Sequence, residues 1–154
     1  MRRFLKNWLP VLVWVGVIFL GSTDLMSAQH TSRFIIPFLL WLKPGISAET
    51  LASIHFILRK CAHVAEYAVL GLLLLRTATL MRNFQRSIPI RYLSVLGVCL
   101  LVAATDEFHQ TFVASRGPSV RDITIDCGGA ILGLLIGSIF RKSSISLEKA
   151  PADS

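Results

Sequence analysis

The run YLSVLGVCLLVAA, residues 92–104, carries no charge, and three further runs of the same character lie at 10–21, 68–75 and 127–140. With its flanks, each approaches the ~20 residues needed to cross a hydrocarbon core ~30 Å thick. Inside such a core every backbone N–H and C=O must find its partner within the protein, so an apolar run that spans is a helix. The expected fold is all-α: a polytopic membrane protein built as a compact four-transmembrane-helix bundle with a short extracellular interfacial or re-entrant segment. The spans are placed at about 8–21, 56–75, 92–112 and 122–140, in one transmembrane domain covering residues 1–142. The remaining residues, 143–154, SSISLEKAPADS, read as a polar, disordered cytoplasmic tail.

Composition supports a bilayer rather than water as the solvent. Only 16% of the 154 residues are charged, against about 25% in soluble domains, and the mean hydropathy is +0.62. The net charge of +7 does not point to nucleic acid, because the basic residues gather at the ends of the apolar runs. Arg2, Arg3 and Lys6 precede the first run, Arg76, Arg82, Arg86 and Arg91 join the second to the third, and Arg141 and Lys142 follow the last. By the positive-inside rule these three regions face the cytoplasm. Both termini are then inside, and segments 22–53 and 113–121 are outside. Cys61, Cys99 and Cys127 lie within or beside apolar runs, with no CxxC, so a disulfide framework is not expected. The basic, apolar N-terminus resembles a signal peptide but reads as an uncleaved first span.

Segment 34–45, FIIPFLLWLKPG, is too short to span. Pro37 and Pro44 argue against one long helix there. An interfacial or re-entrant piece and a hydrophobic lid on the spans are both open. Ser47 in the following PGIS is a candidate N-cap, opening the second long helix near Ala48.

Polar residues then fall at corresponding depths. Arg59, His63 and Glu66 stand at i, i+4 and i+7, Asp106, His109 and Gln110 at i, i+3 and i+4, and Asp122 and Asp126 at i and i+4, so each helix carries one polar stripe. Charged groups facing lipid cost several kcal/mol; the stripes should therefore face one another as an outward-facing charged pocket with Arg116 and Arg121 above it. Gly129, Gly133 and Gly137 form a small-residue ridge suited to close helix packing.

RKCAHVAEYAVLGLLLL, from Arg59, and TDEFHQTFVASRGPSVRDITIDCGGAILG, from Thr105, resemble, in order, two signatures of VanZ-like family membrane proteins. The resemblance covers about residues 8–140. By position it carries Lys60, His63, Tyr67, Asp106, Glu107, His109, Gln110, Arg116, Asp122 and Asp126 onto the family pattern. It implies a multi-pass protein of the bacterial cytoplasmic (inner) membrane and a link to teicoplanin-type glycopeptide resistance, without supplying a mechanism. The Ala114–Ser115 pair before Arg116 departs from the Pro-Gly-like turn expected there.

Several functions fit this pattern. Lys60, Arg116 and Arg121 would hold the phosphates of a lipid-linked cell-wall precursor, with the acids binding its amines or hydroxyls. Alternatively, His63, Glu66, Asp106, Glu107 and His109 would serve as general acids and bases or ligate a metal. HExxH and GxSxG are both absent from the chain, and no metal or cofactor is expected. A proton pathway would need a polar path through the inner halves of the spans, and the sequence shows none. The nearly balanced charges also fit an ion-pair network that only fastens three helices. The partners expected are the bilayer and the lipid-linked precursor, with no nucleic acid; the oligomeric state is open.

Overall fold

The computed structural model describes residues 2–23, 28–81, 87–113 and 119–148. They form five helices: α1 (Arg2–Gly21), α2 (Ala28–Leu42), α3 (Ala48–Leu80), α4 (Ile88–Gln110) and α5 (Val120–Glu148). No strand occurs among the described residues. α1, α3, α4 and α5 are long and apolar enough to cross a membrane, and all four correspond to the expected spans.

Local sequence explains the helix ends. Ser47 stands in extended backbone at the start of α3, and its Oγ accepts from the Thr50 N–H at 3.2 Å. Glu49 in the same turn complements the positive end of the helix dipole. α4 opens with a proline in its first turn, where a missing N–H costs nothing. At 33 residues α3 is roughly 50 Å long, so it extends beyond a ~30 Å hydrocarbon layer. The backbone of α5 continues as helix to Glu148, past the boundary expected at 140.

The segment with two prolines resolves into one helix that begins earlier than expected. α2 has 15 residues, too few to span, and Pro37 sits inside it without ending it. It ends where Pro44 cannot continue the helix and Gly45 takes φ 93°, in the left-handed region. α2 packs against α3 and leaves Phe38, Trp41 and Leu42 exposed.

The closest packing joins α3 to α5, which run parallel with a nearly constant offset: Arg59 meets Asp122, His63 meets Asp126, and Ala68 meets Gly133. Small residues bring the two backbones together. A Cβ at Gly133 would lie 2.1 Å from the Ala68 carbonyl oxygen, one at Gly129 2.5 Å from that of Val64, and one at Gly71 2.9 Å from that of Ala130. The glycine ridge of α5 is thus used within the chain. α1 and α4 run opposite to this pair: Thr77 Oγ1 of α3 donates to the Asn7 carbonyl of α1, and Arg141 of α5 reaches the Tyr92 hydroxyl of α4 at 3.3 Å.

Tyr67, Leu70, Leu74, Val95, Cys99, Ala130 and Leu134 form the buried core. Leu12, Val13, Leu93, Leu101, Leu135 and Ile139 are exposed on the outer faces. Such an apolar exterior suits lipid rather than water.

The topology separates charge along the bundle. Every acid whose side chain is described, Glu49, Glu66, Asp106, Glu107, Asp122 and Asp126, falls in the half containing the α3 and α5 N-termini. Lys6, Arg76, Arg91 and Arg141 lie at the other end. These halves are the polar end and the basic end.

Candidate ligand site

At the polar end, three side-chain contacts fasten α3 to α5. Asp122 is 1% exposed; its Oδ1 accepts from Lys60 Nζ and its Oδ2 from Arg59 Nη2 at 3.2 Å. Lys60 also lies over the Phe56 ring, 5.2 Å from its centroid, a favourable cation–π position. One turn deeper, His63 Nδ1 lies 3.0 Å from Asp126 Oδ1, and both side chains are buried. Partnering is what makes this burial tolerable, since an unpaired charge in a low-dielectric site is strongly unfavourable.

A second set ties α4 to α1. Ser22 Oγ, just past the end of α1, donates to Asp106 Oδ2 at 2.6 Å, and Gln110 Nε2 donates to the same oxygen at 3.0 Å. Glu107 points toward the start of α5, where its Oε2 accepts from the Ser119 backbone N–H at 2.7 Å. That contact supplies an acceptor to an amide at a helix N-terminus, where negative charge is favoured. Trp14 Nε1 donates to the Glu66 carbonyl at 2.8 Å, and Glu66 Oε1 lies beside Gly21, so this carboxylate faces α1.

Between these bridges lie polar atoms with no hydrogen-bond partner among the described residues. Asp106 Oδ1, Glu107 Oε1, Gln110 Oε1 and Asp126 Oδ2 are acceptors of this kind, and the Tyr67 hydroxyl is buried and unpaired as well. Asp106, Gln110, Asp126 and Tyr67 are each 0% exposed. Native structures leave few buried polar groups unmatched, and each costs about 1–3 kcal/mol. An acceptor-rich cluster of this kind is chemically suited to a donor: water, a hydroxyl or an amine.

Most residues singled out from the sequence converge here, though as two linked sets. Lys60, His63, Asp122 and Asp126 form the α3–α5 set, with Arg59 beside them. Asp106 and Gln110 belong to the α1–α4 set. His109 turns toward α1, its ring edge-on to Phe19 at 5.8 Å. Arg121 is exposed, and Arg116 lies outside the described residues. The innermost side chains are buried, and Arg59, Lys60, Glu66 and His109 are half-buried. Among the described residues no group of three or more His, Cys, Asp or Glu side chains is arranged to hold a metal ion.

Sequence reasoning missed Ser22, Trp14 and the Ser119 amide. Ser22 had a visible signal, a hydroxyl immediately after the apolar run of α1 and level with the acids of α4. The Trp14 and Ser119 contacts depend on backbone groups and leave no side-chain signature.

Four span-length helices with an ionic cluster gathered at one end define a multi-pass membrane protein with a polar core. The chain belongs to the VanZ/LLP1 family, whose sequence model matches residues 7–141. No curated protein and no solved structure matches the chain.

Proposed function

We infer that this protein binds the headgroup of a lipid-linked cell-envelope precursor or related glycolipid at its polar end, and thereby affects susceptibility to teicoplanin-type glycopeptides. The observation that carries this reading is the set of buried, unpaired acceptors Asp106 Oδ1, Glu107 Oε1, Gln110 Oε1 and Asp126 Oδ2. A sugar or amine-bearing headgroup brings O–H and N–H donors to such atoms and removes their desolvation cost. Lys60 and Arg59 are engaged by Asp122, so hydroxyl or amine recognition is favoured over phosphate as the main interaction. Phosphate contact falls to the exposed Arg121.

The basic residues at the opposite end support a polar end facing outward, with both termini in the cytoplasm. In a bacterial cytoplasmic membrane this presents the site to precursors in the outer leaflet.

A second reading rests on the His63–Asp126 contact at 3.0 Å. A carboxylate on one ring nitrogen orients an imidazole and leaves the other nitrogen for proton transfer, as a general base acting on a lipid-linked substrate requires. Turnover of a bound precursor, lost in His63→Ala, distinguishes this reading from binding alone.

The test of the main reading is to replace His63, Glu66, Asp106, Glu107 and Asp126 singly by Ala and measure membrane abundance beside teicoplanin susceptibility. Altered susceptibility at full abundance supports a site. If every change in susceptibility follows loss of protein, the cluster only fastens the helices.

A further inference from the structure

Asp106 and Gln110 are 0% exposed, so no headgroup reaches their unpaired oxygens, Asp106 Oδ1 and Gln110 Oε1, while the helices stand as they do. The end of α1 covers them on one side. Ser22, itself buried, donates from Oγ to Asp106 Oδ2 at 2.6 Å and accepts from Gln110 Nε2 at 3.4 Å. Phe19 lies edge-on against His109 in the same turn. One hydroxyl that donates to the carboxylate and accepts from the amide makes the pair of contacts that a sugar hydroxyl would make there.

α1 is also loosely held. Of the four spans it buries the smallest share of its length, and among the described residues it touches α3 and α4 but not α5. No backbone contact like that at Gly133 fixes it: a Cβ at Gly16 would meet nothing within 4 Å, and one at Gly21 would meet only the Glu66 side chain. In its basic half a cavity of about 280 Å³ lies between Trp8, the stretch of α3 around Ala78 and the stretch of α4 around Val95. Lipid tails replace an apolar partner at little cost, so helices in a bilayer are held by close packing and interhelical hydrogen bonds. Where packing is sparse, the hydrogen bonds decide. Trp14 to the Glu66 carbonyl and Thr77 to the Asn7 carbonyl hold α1 along its length, and Ser22 to Asp106 holds it at the site. The Ser22 bond ends on a carboxylate, which is the stronger kind.

We propose that α1 is a gate over the α4 side of the polar cluster, latched shut by Ser22, whose hydroxyl occupies the place on Asp106 that a headgroup hydroxyl takes when the gate opens. α3 and α5, joined through their backbones at Gly129 and Gly133, are the fixed frame. The latch stands on the geometry of α1; what displaces it rests on the headgroup reading above.

Paired spin labels in nanodiscs report the motion, in a chain with Cys61, Cys99 and Cys127 replaced by Ala. Leu20→Cys with Val120→Cys, both exposed, measures α1 against α5. Ile57→Cys with Phe108→Cys, also exposed, measures α3 against α4 and should keep one distance throughout. Ser22→Ala removes a hydrogen bond to a carboxylate and should raise the ratio of open to closed α1–α5 distances about tenfold or more. A lipid-linked cell-envelope precursor, added to the chain that keeps Ser22, should shift the same pair in the same direction. An α1–α5 distance unchanged by Ser22→Ala overturns the proposal. So does an α3–α4 distance that broadens with it, since Ser22 would then fasten the whole polar end. Opening by Ser22→Ala with no response to the precursor upholds the latch and counts against the headgroup reading instead.

Discussion

Replacing Gly133 by Ala probes the contact on which the polar end depends. The added Cβ would meet the Ala68 carbonyl oxygen at 2.1 Å, its carbon at 2.9 Å and its Cα at 3.0 Å. All three are backbone atoms, so no side-chain rotation relieves the clash. Ordinary contact begins at 3.4 Å, and α3 and α5 must therefore separate locally by about 1.3 Å, the difference between 3.4 and 2.1. Overpacking of this kind costs about 1–3 kcal/mol. The His63–Asp126 and Lys60–Asp122 bridges lie two to three turns along the same interface and depend on the same separation. Gly97 and Gly16 are internal controls, because a Cβ at either meets nothing within 4 Å. Alanine there should be neutral or stabilising by up to about 1 kcal/mol through helix propensity. Equilibrium unfolding in mixed micelles, titrated with SDS, should place Gly133→Ala below the wild type and Gly97→Ala at or above it. If the two alanine variants unfold together, the close α3–α5 packing described here is wrong.

Charge removal at Asp122 should be asymmetric. Asp122→Asn leaves Lys60 and Arg59, whose side chains are 17% and 34% exposed, able to turn to water or headgroups, while Arg59→Met with Lys60→Met strands a buried carboxylate. Thermal denaturation should show the double variant as the less stable, by up to about 3 kcal/mol; the opposite order would contradict the pairing. Ser22→Ala removes a donor at 2.6 Å from buried Asp106 and should cost about 1.5–3 kcal/mol in the same assay, whereas Thr105→Ala, at an exposed position whose hydroxyl bonds only to its own helix, should cost little. In a chain with Cys61, Cys99 and Cys127 replaced by Ala, Thr50→Cys should react with an impermeant maleimide in intact cells and Leu80→Cys only after permeabilisation. The reverse pattern would invert the proposed orientation.

The four spans were legible because a bilayer imposes length and apolarity on helices with little dependence on packing. Ser47 was legible as a cap because its signal is local. The polar stripes were legible as inward-facing because Asp106, Asp122 and Asp126 have no tolerable place against lipid. Which groups meet was not. The parallel register that puts Asp122 on Lys60 and Asp126 on His63 arises from backbone contact at Gly129 and Gly133, and helical periodicity alone does not determine how two helices slide past one another. Periodicity grouped His109 with Asp106 and Gln110, and all three do meet the α1 side, His109 at Phe19 and the other two at Ser22; which partner each takes is not set by periodicity. The continuity of α2 through Pro37 also escaped a reading that treats an internal proline as a break.

The central claim is that the unpaired acceptors of the polar end recognise a donor-bearing headgroup. Its most direct test is binding of a lipid-linked cell-envelope precursor to the protein in nanodiscs, compared between the wild type and Asp106→Asn and Asp126→Asn. Each amide substitution keeps shape but replaces one carboxylate oxygen by a donor group. Saturable binding by the wild type, weakened about tenfold or more in each variant at unchanged thermal stability, is the predicted result, equivalent to about one lost charge-assisted hydrogen bond. Equal affinity in all three proteins, or no saturable binding by the wild type, would contradict it.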